Sequence, residues 1–146
     1  MNITIREFKG RYRFLSNFWY ASVRYEGVCY SSVEHAYQAA KTTDSAEREH
    51  VRDAPTAAAA KRAGRYVRLR RDWGAIRLDV MRALLLSKFS DNADLARKLL
   101  DTGDAELVEG NDWGDVFWGK CRGMGENHLG RLLMEVRSVL CQGRGL

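Results

Sequence analysis

Apolar and polar positions alternate over residues 2–8, with Ile3 and Ile5 on one side, which predicts a short strand. Residues 20–30 hold two β-like runs around Glu26-Gly27, a hairpin signal. Ser31-Ser32-Val33-Glu34 then opens a helix to about Thr43, and Asp44-Ser45 caps a second to about Asp53. Pro55-Thr56 starts a third over Ala57 to Ala63, with Gly64 just past its end. Asp72 is placed as the N-cap of a longer helix. Ile76, Val80, Leu84 and Ser87-Lys88 fall at helical spacing there, with Met81, Leu85 and Phe89 on the adjoining stripe. Asn92 opens the next helix, which ends at Thr102-Gly103, and a strand follows over Glu106 to Glu109. Residues 110–125 read as a Gly-rich loop with a strand at Val116-Phe117-Trp118. The last helix begins near Glu126-Asn127 and carries Leu129, Leu132, Leu133, Val136, Val139 and Leu140 on one face. The expected class is α+β, a single helix-rich domain over residues 1–146 with a small β-sheet.

Length and composition narrow this picture. A chain of 146 residues suits one domain, and 45% hydrophobic with 29% charged residues is ordinary for a soluble globular protein. The longest apolar run, Ala83 to Leu86, is a buried helix face rather than a membrane span, and Met1 to Arg6 lacks a signal-peptide core. Cys29, Cys121 and Cys141 are odd in number and widely spaced, which points away from disulfides and toward a reducing cytoplasm. His35, His50 and His128 form no local metal motif, so no metal and no cofactor is expected. A net charge of +5 permits an anionic partner without requiring one. Of 13 glycines, against a single proline, six (Gly110, Gly114, Gly119, Gly123, Gly125 and Gly130) fall in the loop-to-helix stretch before and at the start of the C-terminal helix.

Three segments carry candidate chemistry. Glu34, Gln38 and Lys41 stand at i, i+4 and i+7, on one helix stripe, while His35 and Tyr37 point elsewhere. Ala36, Ala39 and Ala40 keep that helix slim. A carboxylate can serve as general acid or base at a sugar carbon, and a lysine can pair with phosphate or attack C1. Ser31-x-x-Glu34 is equally a capping box, and the spacing alone serves either purpose.

The loop Glu109 to Gly119 packs Asn111, Asp112, Trp113, Gly114, Asp115 and Trp118 together. Tryptophans there can stack on a base or sugar, and Asp115 can orient water or protonate a leaving base. A Trp-anchored turn would use the same residues. Gly123 to Gly130 leads glycines into a helix start, an anion site if Asn127 is not simply an N-cap. Arg13, Phe14, Ser16, Asn17 and Phe18 mix a cation, aromatics and small polar groups suited to a phosphate and a ring, or to anchoring a loop in the core. Lys61, Arg62, Arg65, Arg68, Arg70, Arg71 and Arg77 form a basic cluster that suits nucleic-acid phosphates or a solvated helix flank.

In order, the chain reads Phe14-Leu15-Ser16-Asn17-Phe18, Glu34-His35-Ala36-Tyr37-Gln38-Ala39-Ala40-Lys41, Arg71-Asp72-Trp73, Asn111-x-Trp113-Gly114-Asp115-x-x-Trp118-Gly119 and Gly125-x-Asn127-x-Leu129-Gly130. Over about residues 8–140 this closely resembles the NADAR family, also called YbiA-like. The resemblance implies a YbiA-like fold and an N-glycosidase acting on phosphorylated or ADP-ribosylated ribosides. One branch of the family acts on riboflavin-pathway intermediates. Another removes ADP-ribose from guanine in nucleic acid and is paired with DNA-modifying toxins. It implies catalytic roles at Glu34 and Asp115, with Lys41 beside them. Gln38, Trp73, Asn111, Trp113, Trp118, Gly119 and Asn127, with the segment Arg13 to Phe18, would contact substrate. Gly74 stands where many members carry an acid, which removes any acid role at that position. The expected partners are the riboside substrate, ADP-ribosylated DNA and a neighbouring ADP-ribosylating toxin, with no membrane. A non-catalytic ADP-ribose reader would need no carboxylate, and a nucleic-acid module would rest on the basic cluster alone.

Overall fold

A computed structural model of the chain describes residues 3–143. In chain order the elements are β1 (Thr4–Ile5), a 3₁₀ turn (Gly10–Leu15), β2 (Val23–Tyr25), β3 (Val28–Tyr30), α1 (Val33–Ala40), α2 (Ser45–Arg52), α3 (Ala57–Ala63), α4 (Trp73–Ser90), α5 (Ala93–Asp101), β4 (Glu106–Leu107), β5 (Gly110–Asn111), β6 (Lys120–Cys121) and α6 (His128–Gly143). The class is α+β, with helices covering nearly half of the described residues. The small sheet takes the form of three separate two-stranded pairs, β1–β4, β2–β3 and β5–β6. The chain divides into two compact units, one running Asn17–Asp91, the other taking the segment up to Ser16 and that from Asn92 onward.

In the Asn17–Asp91 unit, β2 and β3 pair antiparallel, Val23 opposite Tyr30. Both turn residues are left-handed, Glu26 at φ 49° and Gly27 at φ 80°. That is the two-residue turn whose twist matches a hairpin, so the hairpin reading holds. Three of the four helix starts in this unit are capped by a side chain. Ser32 Oγ accepts from His35 N, the Asp44 carboxylate from Glu47 N, and Thr56 Oγ1 from Ala59 N. The cap of α1 is therefore Ser32, not Ser31. Glu34 falls in the second helical position, one short of the third that a capping box requires, so that box is absent. The helix ends at Ala40 rather than Thr43, as Lys41 N and Thr42 N tighten onto Gln38 O and Ala39 O. Every residue of α1 is buried, packed against α2, α3 and α4. Ala36, Ala39 and Ala40 are fully enclosed, so their small side chains set the close approach.

Helix α4 spans 18 residues, about 27 Å at 1.5 Å per residue. Its core stripe is Val80, Met81, Leu84, Leu85, Lys88 and Phe89. Ala83 is exposed, so the run Ala83 to Leu86 is not a buried face as a whole. Asp72 sits at the N-cap but makes no cap bond, because its carboxylate receives Arg70 Nε at 2.6 Å and Nη2 at 3.2 Å.

In the other unit β1 runs parallel to β4, Ile5 opposite Leu107, tied by Glu106 N to Ile3 O and Val108 N to Ile5 O. The strands are two residues each, shorter than the expected 2–8 and Glu106 to Glu109; residue 2 lies outside the described residues. Helix α6 buries Leu129, Leu132, Leu133 and Val136, while Val139 is exposed and Leu140 half-buried. Arg137 donates to Thr102 Oγ1 and Ala105 O, joining α6 to the end of α5. A Cβ on Gly130 would strike Leu107 O, so this glycine lets α6 touch the β4 backbone. No strand forms at Val116-Phe117-Trp118. The amides of Phe117 and Trp118 are taken by the Asp115 carboxylate, and β5 pairs instead with Lys120–Cys121.

Candidate active site

The Asn17–Asp91 unit gathers Asn17, Glu34, Gln38, Lys41 and Trp73. Glu34 is only 7% exposed and Gln38 4%. Gln38 Nε2 donates to Glu34 Oε1 at 3.2 Å, which makes the i, i+4 pair a buried carboxylate–amide couple rather than surface decoration. Asn17 O receives the backbone N–H of Glu34 at 3.1 Å. The Asn17 amide lies 3.7 Å from Met81 Sδ. Among the described residues, two buried side-chain atoms lack a hydrogen-bond partner, Asn17 Oδ1 and Gln38 Oε1. Both belong to residues bonded to Glu34. Buried polar groups are nearly always satisfied, and exceptions gather where function needs them.

Lys41 caps the C-terminal end of α1, and its carbonyl accepts from Arg70 N at 2.8 Å. Burial pulls its ammonium below the usual lysine range. The Glu34 charge opposes that shift, while Lys61 and Arg65 add to it. Its Nζ lies 5.5 Å from the centre of the Tyr37 ring, and that ring meets Trp73 at 5.1 Å, tilted by 59°. Trp73 is largely buried against Tyr37. Phe18 is exposed, with Lys61 Nζ 6.0 Å from its ring centre.

The remaining candidates belong to the other unit. Asp115 Oδ1 accepts from Phe117 N at 3.1 Å and Trp118 N at 2.9 Å. Asn111 clamps the Asp115 backbone from both ends, Nδ2 donating to its carbonyl and Oδ1 accepting its N–H. Trp118 meets Phe117 edge-on at 4.8 Å, and Trp113 is 60% exposed. A Cβ on Gly119 would strike the Glu109 carbonyl and carboxylate. Asn127 is buried at φ +54°, its Nδ2 on Leu107 O at 2.9 Å and its Oδ1 on Glu109 N at 3.0 Å. It stands at the N-cap position of α6, its carbonyl accepting from Arg131 N, but its side chain pins the β4 segment instead of capping the helix.

The anion site expected at Gly123 to Asn127 is absent. The amides of Glu126, Asn127, His128 and Leu129 already bond the carbonyls of Val116, Gly119, Phe117 and Trp118. Those are the donors a phosphate would have used. Phe14 is buried with Lys98 Nζ 5.8 Å from its ring centre, Ser16 is half-buried, and Arg13 is exposed on the 3₁₀ turn. Of the basic cluster, Arg70 is engaged by Asp72, while Lys61, Arg62, Arg65, Arg68 and Arg71 are exposed. Among the described residues no three His, Cys, Asp or Glu side chains gather as a metal site requires.

Two residues beside the candidate site lie differently from their reading in the sequence, Tyr37 as pointing elsewhere and Gly64 as a helix end. Tyr37 does not point away: it lies four residues before Lys41, the spacing that brings side chains together on a helix, and that signal was available. Gly64 is buried at an ordinary φ of −62°, and a Cβ there would overlap Gln38 Oε1. Twenty-six residues separate the two, and no local pattern shows it. His35 is structural, its ring bonded to Ser32 Oγ at 2.7 Å and Ala54 O at 3.0 Å.

This helix-rich α+β fold carries a buried carboxylate on α1. The NADAR domain profile aligns with residues 5–141, and the chain belongs to the NADAR family. It is 45% identical over 130 residues to a riboflavin biosynthesis protein of Vibrio vulnificus, covering 87% of this chain but only 35% of that protein. So the chain spans about a third of that relative. It is 38% identical over 128 residues to the N-glycosidase YbiA of Escherichia coli, covering 86% of this chain and 79% of that one. The NMR structure of Escherichia coli YbiA superposes with a TM-score of 0.87 at 36% identity, over 99% of this chain and 89% of the other. Among the described residues no helix is long and apolar enough to cross a membrane.

Proposed function

We propose that the chain is an N-glycosidase, a hydrolase that breaks the bond between a base and C1 of a phosphorylated or ADP-ribosylated riboside. The observation that carries this is the buried Glu34–Gln38 couple beside Lys41, whose ammonium burial pulls below the usual lysine range. The relatives' N-glycosidase name supports the same reaction. As the C1–N bond lengthens, its electron pair leaves with the base, which takes up a proton. Positive charge then grows on C1 and the ring oxygen, and the Glu34 carboxylate stabilises it. Water completes the reaction by adding hydroxide to C1 and releasing a proton. Alternatively the Lys41 amine adds to C1, loses a proton, and the ring opens to an imine that water hydrolyses, regenerating the lysine. Lys61 and Arg65, which already act on Lys41, suit the substrate phosphates. The bonds of Asp115 support its shaping the Phe117–Trp118 turn more than acid catalysis.

For the substrate, the exposed cations Lys61, Arg62, Arg65, Arg68 and Arg71 favour ADP-ribosylated guanine in nucleic acid. The riboflavin biosynthesis name of one relative favours an aminopyrimidine riboside phosphate instead. Parallel incubation with ADP-ribosylated DNA and with such riboside phosphates, following base release by chromatography, decides between them. Glu34→Gln lowers base release from the accepted substrate by about 10²-fold or more with the circular dichroism spectrum intact. An unchanged rate overturns the assignment.

A further inference from the structure

We infer that Gln38, seated by Gly64, is a positioning residue that holds Glu34 in its carboxylate form and aims one of its oxygens. The kinetic part of this inference rests on the N-glycosidase reading; the structural part does not.

An amide has a donor end and an acceptor end, and here they face different surroundings. The donor end, Nε2, meets Glu34 Oε1 at 3.2 Å. The acceptor end, Oε1, is buried with no donor and lies where Gly64 lacks a side chain. An N–H donor favours the charged form of the carboxyl it touches. A protonated Glu34 acting as acid would call for the amide to be turned over, so that a carbonyl oxygen received its O–H. The turned amide would press a bulkier NH₂ group against Gly64.

Gly64 has no conformational need to be glycine, since its φ of −62° is open to any residue. Its size is the constraint: a Cβ overlaps Gln38 Oε1 and comes within 2.7 Å of Cδ. Two elements thus bear on one carboxylate, α1 supplying the donor and the end of α3 the gap, while Asn17 O holds the Glu34 backbone and the Lys41 cation acts on its charge. Glu34 is therefore assigned as the base or cation-stabilising group, and the proton for the leaving base comes from elsewhere. An unsatisfied buried oxygen lowers stability, and the residue that bears it is the one bonded to Glu34.

The test is a ¹³C NMR titration of the Glu34 carboxyl in the wild type, Gln38→Met and Gly64→Ala, alongside steady-state base release. Gln38→Met keeps the length and removes the donor. Gly64→Ala keeps the donor and displaces it. In both, the proton affinity of Glu34 rises, about tenfold in Gln38→Met, the equivalent of one lost charge-assisted hydrogen bond. Both lower kcat by about tenfold or more, shift the acidic limb of its pH profile upward, and leave KM within about twofold. A residue that merely packed the core would lower stability without moving the Glu34 titration. If one variant does not fold, the other decides. An unmoved Glu34 titration in a folded variant overturns the inference. A moved titration in a protein that releases no base from either substrate upholds the positioning role and overturns the glycosidase reading.

Discussion

Lys88 offers the sharpest quantitative test of the core. It lies on the buried stripe of α4, fully enclosed, with its Nζ 5.1 Å from the centre of the Phe89 ring. Burial pulls its ammonium from an ordinary 10.5 down to about 7. At 1.36 kcal/mol per pH unit, that displacement corresponds to about 5 kcal/mol of penalty for folding with the group charged. The unfolded chain holds this proton up to 10.5 and the folded chain only to about 7, so unfolding takes up a proton between those values. Stability therefore rises with pH across that window, and the penalty is fully present below pH 7. Linkage between the two values gives a gain of roughly 2–3 kcal/mol for the wild type from pH 6 to pH 9. Lys88→Met retains length and packing and removes the titration. Urea denaturation of both proteins at pH 6 and pH 9, at matched ionic strength, measures the effect as a double difference. The stability of Lys88→Met relative to wild type falls by roughly 2–3 kcal/mol between those pH values. Any bond lost with the amine shifts both measurements alike and leaves the difference intact. A double difference near zero would refute a displaced Lys88.

Two further predictions concern the site and its scaffold. Borohydride added during turnover yields a covalent sugar adduct at Lys41 if the imine route operates. Trapping then extends to lower pH than for an ordinary lysine, because the Lys41 ammonium is pulled down by burial; mass spectrometry that finds no adduct removes the covalent route. Asn127→Ala removes two bonds to the β4 segment and leaves Leu107 O and Glu109 N unpaired, which lowers stability by about 2–4 kcal/mol in a denaturant titration. A change within 0.5 kcal/mol would mean the Asn127 side chain does not pin that segment.

What could be read along the chain was local. Thr56 and Gly64 bracket α3 at the expected ends, Asp44 caps α2, and Glu26-Gly27 turns the hairpin. Each of these signals lies within four residues of its effect. The register of α1 was missed by one because Ser31 and Ser32 are adjacent and either can cap. His35 decides it: once its ring is buried against Ser32 Oγ and Ala54 O, only Ser32 can cap. The supposed strand at Val116 to Trp118 failed for a related reason. Val, Phe and Trp favour strands, but their neighbour Asp115 captures two of the amides a strand needs. The helix-start anion site failed because carbonyls from that same loop reach the amides first.

The candidate site was legible as a stripe and illegible as a buried one. Spacing placed Glu34, Gln38 and Lys41 on one face, yet an exposed stripe and an enclosed one have the same spacing. The alanines at 36, 39 and 40 were the available clue. A helix that buries every side chain must meet neighbours on all sides, and α1 meets α2, α3 and α4. A polar stripe on such a helix has little access to water, so each of its groups must find a partner or lower stability. His35 finds two partners and leaves nothing open. Gln38 and Asn17 each keep one buried oxygen without a donor, and both touch Glu34. The lost stability thus falls around one carboxylate and not on the histidine beside it. An apolar side chain at Gln38 would remove the orphaned Oε1 but would also strip the buried Glu34 Oε1 of its N–H donor, so the stabilising bond shown for this amide is the one it makes to Glu34.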